Sequence, residues 1–313
     1  MSLPWLLGVV VVNSEHTTEA DTEATSPGRQ WGVTLGNQVD QRRLVAGAGL
    51  LTLLVLAART THGLLVNAPF DPVVVPPALR TGVATGVPVV VGGALAVVAL
   101  TDDRPAVRVG LLFAGVFGLL GVFLPTVTLP AVVAIACGAG LALFGSLGRL
   151  ETLSYRGVRR RLLGAGFVVA LTVSLADGTG IVRGLHGTGS LVALSAVALV
   201  GTRAARSLPA AGAGVLAAAG VVYAGSTSPF VLGSALLVVF AVSGVPPLLF
   251  ALAVAGGTAA ATAGLSRRLY PLATGACLLV LAGVPVTLPR AMTFLLGATL
   301  VTLDWEQPVG GSA

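Results

Sequence analysis

The chain has 313 residues, of which 10% are charged and 55% hydrophobic, and its mean hydropathy is +0.95. A soluble domain carries about 25% charged residues, so a water-soluble globular fold is excluded. The net charge of +6 rests on arginines, with no lysine in the chain, and they flank apolar runs. That arrangement orients spans and meets lipid headgroups, and it argues against a nucleic-acid surface.

A span needs about 20 residues to cross about 30 Å of hydrocarbon. Residues 1–13, MSLPWLLGVVVVN, are apolar but too short for this, and they lack the basic start and cleavage site of a secretory signal. Residues 14–30 are polar, acidic and rich in Thr and Ser, which reads as disorder. The reading assigns 1–43 to an acidic, disordered cytoplasmic tail, 44–303 to a transmembrane helical domain and 304–313 to a short C-terminal tail.

The first span is predicted at 44–66, behind Arg42 and Arg43. A proline-rich connection follows, in which Val73 to Pro77 cannot be regular helix. Spans follow at 81–100, with a kink expected at Pro88, at 109–124 and at 131–147. PTVTLP joins the last two, so they should form a tight antiparallel hairpin. The segment 148–161, GRLETLSYRGVRRR, is the most basic stretch and reads as a cytoplasmic loop. Its Arg156, Arg159, Arg160 and Arg161 are candidates for contact with anionic lipid or an acidic partner.

Further spans are predicted at 162–176, about 188–202 and about 208–224. Residues 230–265 are apolar throughout but contain Pro246 and Pro247. A straight helix of that length would be about 54 Å long, so the stretch reads as two spans, or as one span plus a re-entrant piece. Spans at 269–288 and 291–303 complete an all-α, polytopic transmembrane bundle of about 10–11 crossings.

The positive-inside rule sets the orientation. With eleven spans and a cytoplasmic N-terminus, 13 arginines fall inside and 5 outside; with ten, the balance is 14 to 4. Both place the N-terminus in the cytoplasm of a cell-membrane protein and leave the C-terminus open.

Small residues recur at helix-packing spacing: Gly110, Gly115, Gly118 and Gly121; Ala213, Gly214, Ala217 and Ala218; and Gly256, Gly257, Ala260, Ala261 and Gly264. They read as internal packing more readily than as a dimer face. Cys137 and Cys277 lie inside apolar runs and read as packing residues.

No predicted span holds a central carboxylate, lysine or histidine, which weighs against a proton- or sodium-coupled pump and against haem ligation. HExxH, GxSxG, paired DxxxD and a P-loop are all missing. No cofactor or metal is expected, and the reading points away from an enzyme. One polar constellation remains, on the predicted outer side. Arg59 and His62 share a helix face, Asn67 and Asp71 follow, and Asp177, Arg183 and His186 occupy a second outer loop. Arg59, His62, Asp71, Asp177 and His186 form a candidate mouth with the chemistry of a general base or metal ligand. The competing reading is solvated loop charge.

The functional expectation is a non-enzymatic subunit or scaffold of a membrane complex, whose partners are the lipid bilayer and other membrane subunits. Two alternatives stand. One is a transporter or permease subunit for a neutral or apolar solute, resting on the helix break at Pro246 and Pro247. The other is a membrane enzyme acting on lipid.

Overall fold

The computed structural model describes residues 27–66, 76–145, 155–203 and 207–303. Every regular element among them is a helix: α1 (Pro27–Val66), α2 (Pro77–Thr101), α3 (Pro105–Phe123), α4 (Thr128–Gly145), α5 (Tyr155–Gly178), α6 (His186–Val200), α7 (Leu208–Thr227), α8 (Pro229–Ser234), α9 (Pro247–Ser266), α10 (Tyr270–Ala282) and α11 (Leu288–Thr302). A π-helical stretch, Ala235–Val239, continues α8. Residues from Asp40 onward form one compact unit; the described residues before it, 27–39, are helical and belong to a separate one.

The punctuation is proline. α2, α3, α7, α9, α10 and α11 each carry one in the first two helical positions. The missing N–H costs nothing there, because the first turn has no intrahelical acceptor. Pro88 lies inside α2, which continues through it to Thr101.

Among the described residues, seven helices are long and apolar enough to cross a bilayer. They lie in Arg43–Val66, Ala84–Thr101, Pro105–Phe123, Pro125–Gly145, Gly157–Gly178, Leu208–Thr227 and Pro247–Ser266. Four apolar helices are shorter: His186–Val200, Pro229–Val239, Tyr270–Ala282 and Leu288–Thr302. At 1.5 Å per residue the 13 residues of α10 reach only about 20 Å.

Close backbone approaches fix the order of the helix ends. Gly110 of α3 and Gly138 of α4 each sit where the other's side chain would meet a backbone carbonyl, and Gly145 packs on Ala106, so α3 and α4 run antiparallel. The same reasoning makes α9 and α10 antiparallel (Gly264 on Ala273, Gly257 on Val280) and α10 and α11 antiparallel (Gly275 on Gly297). It makes α6 and α9 parallel (Gly187 near Gly244, Gly201 on Gly256). The unit therefore has two ends. The C-terminal ends of α2, α4, α6 and α9 lie at a basic end. Those of α3, α5, α7 and α10 lie at the other, the junction end. α8 folds back against the last turn of α7 through Leu232 and Gly225, and the chain after it meets Gly283. It begins and finishes at the junction end.

α11 is the axis. Every residue from Ala291 to Thr302 is buried, with α2, α3, α4, α5 and α10 around it. Its hydroxyls are satisfied locally: Thr293, Thr299 and Thr302 donate to the carbonyls of Pro289, Leu295 and Ala298, each at 2.8 Å. Phe294 meets Phe167 of α5 edge-on, with centroids 5.6 Å apart.

Several expectations shift. α1 opens at Pro27, so residues 27–43, read from sequence as tail, are helical; residues 1–26 and the 304–313 tail lie outside the described residues. The basic segment is not a loop throughout, because α5 starts at Tyr155 and carries Arg156, Arg159, Arg160 and Arg161 on its first turns. The stretch 230–265 holds one helix long and apolar enough to cross, α9, preceded by a shorter apolar piece, Pro229–Val239, with the break between them at Pro246 and Pro247. The stripes of α3 and α9 are internal, since their named residues are buried. In α7 only Ala210 and Gly214 are buried.

Candidate functional site

At the junction end three non-helical segments meet: the α5–α6 turn, residues 240–246 between the π-helical stretch and α9, and the α10–α11 turn. Irregular backbone survives at membrane depth only where its polar groups find partners in protein or water. Here they do. Val284 N–H donates to Phe240 O at 2.9 Å, Val242 N–H to Leu236 O at 2.7 Å and Val286 N–H to Val284 O at 2.9 Å. Ser243 N–H approaches Ser190 Oγ at 3.5 Å. Gly283, at φ 62°, lies against the backbone of Phe240, and Phe240 packs on Phe250 of α9 at 4.9 Å.

Ala241 has φ 51°, a left-handed conformation that costs an L-residue about 1–2 kcal/mol. A side chain 55 residues away holds it: His186 Nε2 lies 3.2 Å from Ala241 O. The other ring nitrogen, Nδ1, lies 3.1 Å from Asp177 Oδ2, and Asp177 Oδ1 accepts the Leu185 N–H at 3.0 Å. Both ring nitrogens thus face oxygen acceptors. The imidazolium donates to both, the neutral ring to one. Of the sequence-predicted site, Asp177 and His186 are therefore in contact. Asp177 stands in the last turn of α5 and His186 opens α6, whereas the sequence placed both in a loop.

Arg59 and His62 stand near the end of α1, both half-buried, and share the face of Gly63, where a side chain would meet Val239 at 3.6 Å. They do not touch the Asp177–His186 pair. Instead, the end of α1 that carries them faces Val239, the residue whose carbonyl Arg290 holds. Arg290, in the first turn of α11, donates through Nη2 to Val238 O at 3.1 Å and Val239 O at 2.9 Å. Of the predicted mouth, His186 holds this segment at Ala241, whereas its 238–239 carbonyls are held by Arg290. Asp71 and Asn67 lie outside the described residues. Pro246 caps α9 and Pro247 opens it, as the predicted break requires. Among the described residues no three His, Cys, Asp or Glu side chains gather as a metal site would need.

Three participants escaped the sequence reading: Arg290, the carbonyls it holds, and Ser174. Ser174 Oγ is fully buried without a hydrogen-bond partner and faces Gly189 of α6. Arg290 did stand behind Pro289 at a predicted boundary, but its acceptors lie 51 and 52 residues away, beyond any local signal.

Residues 43–302 match the model of the integral membrane family of unknown function DUF8068. No curated protein and no solved structure matches the chain.

Proposed function

The chain is a member of that integral membrane family, and from this premise we propose that it is a non-enzymatic subunit or scaffold of a membrane complex. The observation that carries this is α11. A substrate or solute path along the bundle would need polar groups or space at its axis. The axis is a buried helix whose hydroxyls bond to their own backbone. Moving it would break packing on all sides, at interior density.

The topology in this proposal has ten crossings, with α8 lying at one face. The short α6, α10 and α11 count as crossings because they run between the same two ends as the long helices, and α10 and α11 are shielded from lipid by their neighbours. Both termini of the unit then lie on one side. Of the arginines described from Asp40 onward, eleven belong to that basic end and Arg59, Arg80, Arg183 and Arg290 to the other. The positive-inside rule assigns the basic end to the cytoplasm of a cell membrane. Arg156, Arg159, Arg160 and Arg161 then face anionic lipid or an acidic partner subunit there.

The test is purification of the tagged full chain from its native membrane in mild detergent. The expected result is a stoichiometric complex with one or more defined membrane partners. A homogeneous lone chain contradicts the subunit reading.

The break at 240–246 favours a second reading, a permease subunit for a neutral or apolar solute, since interrupted helices form solute sites in transporters. It expects Pro246→Ala with Pro247→Ala to change solute flux in reconstituted vesicles while membrane insertion holds. Unchanged flux removes it.

A further inference from the structure

We propose that Arg59 and Arg290 together hold a phosphate-type oxyanion at the junction end, supplied by an anionic lipid headgroup or by free phosphate. The arginines come from helices far apart in sequence, α1 and α11, and meet beside the π-helical stretch. Both are half-buried, and both border Val239: Arg290 donates to its carbonyl at 2.9 Å, and a side chain at Gly63, one turn after Arg59 on the same face, would meet its side chain at 3.6 Å. Two like charges withdrawn from water need a counter-charge.

None of the described residues offers one there. Asp177 is the one carboxylate at this end among the described residues, and the His186 ring and the Leu185 N–H occupy its two oxygens. Arg290 spends one terminal nitrogen on the Val238 and Val239 carbonyls. That pair of bonds fixes the plane of its guanidinium. Its other terminal nitrogen and Nε have no hydrogen bond within the described residues, and neither has Arg59. A planar fork held in one orientation beside a second guanidinium is the donor set that tetrahedral oxyanions accept. The N-terminal end of α11, where Arg290 sits, adds field of the same sign. His62 stands one turn from Arg59 on the same face and borders the site with a neutral or cationic donor.

Arg183 provides an internal control. It lies at the same end, in the α5–α6 turn, and is exposed. If general surface charge attracted anions, it would matter as much as Arg59.

The test uses the full chain in phosphatidylcholine nanodiscs with and without phosphatidylglycerol. Retained lipid is counted by native mass spectrometry, and inorganic phosphate is titrated separately by calorimetry. Wild type is expected to retain phosphatidylglycerol or to bind phosphate; which of the two it does identifies the source. Arg59→Gln, which removes no bond among the described residues, is expected to weaken that binding about tenfold, the loss of one charge-assisted partner. Arg290→Lys keeps a donor for the two carbonyls but loses the fork, and is expected to weaken it similarly. Arg183→Gln is expected to leave it unchanged. Wild type that binds neither probe overturns the proposal, as does Arg59→Gln binding like wild type or Arg183→Gln losing as much as Arg59→Gln.

Discussion

The α3–α4 hairpin and the junction around 240–246 both connect apolar helices, and they are held by opposite means. The hairpin is local. A proline-bracketed turn with one 3₁₀ stretch, Pro125–Val127, reverses the chain, and glycines at Gly110 and Gly138 let the two backbones touch. The junction is assembled from a distance. His186, Arg290 and Ser190 reach the segment 238–243 from 51 to 55 residues away, and Val284 N–H closes it from the α10–α11 turn. Backbone shape can be written in adjacent residues, whereas satisfaction of an irregular segment is written across the whole chain.

Substitutions separate the two modes. The largest effect belongs to the hairpin: Gly138→Val places a side chain on the Gly110 carbonyl, and a destabilisation of about 3 kcal/mol or failed insertion is expected, measured by thermal melting in mild detergent. Next comes Arg290→Met, which keeps the bulk but leaves two carbonyls with one fewer donor; about 2 kcal/mol is expected. A loss below a few tenths would show that water, not Arg290, satisfies them. His186→Ala and Asp177→Asn should each cost about 1–2 kcal/mol, with a coupling of about 1 kcal/mol in the double-mutant cycle. Strict additivity would mean that the 3.1 Å contact contributes nothing to stability. Thr299→Val should be the mildest. Its hydroxyl bonds only to the carbonyl one turn back in its own helix, so a change below about 1 kcal/mol is expected.

The contrast also marks what was legible from sequence. The apolar runs, the proline starts and the hairpin were readable because they depend on neighbours a few positions apart. Each predicted span overlaps an observed helix, and the break at Pro246 and Pro247 separates α8 from α9. The α1 start was missed because residues 27–43 are too polar to register as a span. Arg159, Arg160 and Arg161 were read as loop because charge masks helical pattern in the first turns of α5. In the candidate site, Asp177 and His186, assigned to one outer loop, lie in contact, nine residues apart. Arg59 and His62 were assigned to the same mouth, but among the described residues they do not join the Asp177–His186 pair, and Arg290, which holds the segment beside them, is brought there only by the fold. The central position of α11 had no signal either, because burial follows from which helices surround it.

The topology rests on α8 not crossing, and one measurement decides it. In a chain with Cys137 and Cys277 replaced by alanine, single cysteines are placed at the exposed positions Ser228, before α8, and Ser266, at the end of α9. A membrane-impermeant maleimide is then applied to intact cells and to inverted vesicles. Ten crossings require the two positions to label from opposite sides, Ser228 from outside and Ser266 from the cytoplasm. Labelling of both from the same side would mean that α8 crosses as well, and would contradict the arrangement in which the break lies at one face of the bundle.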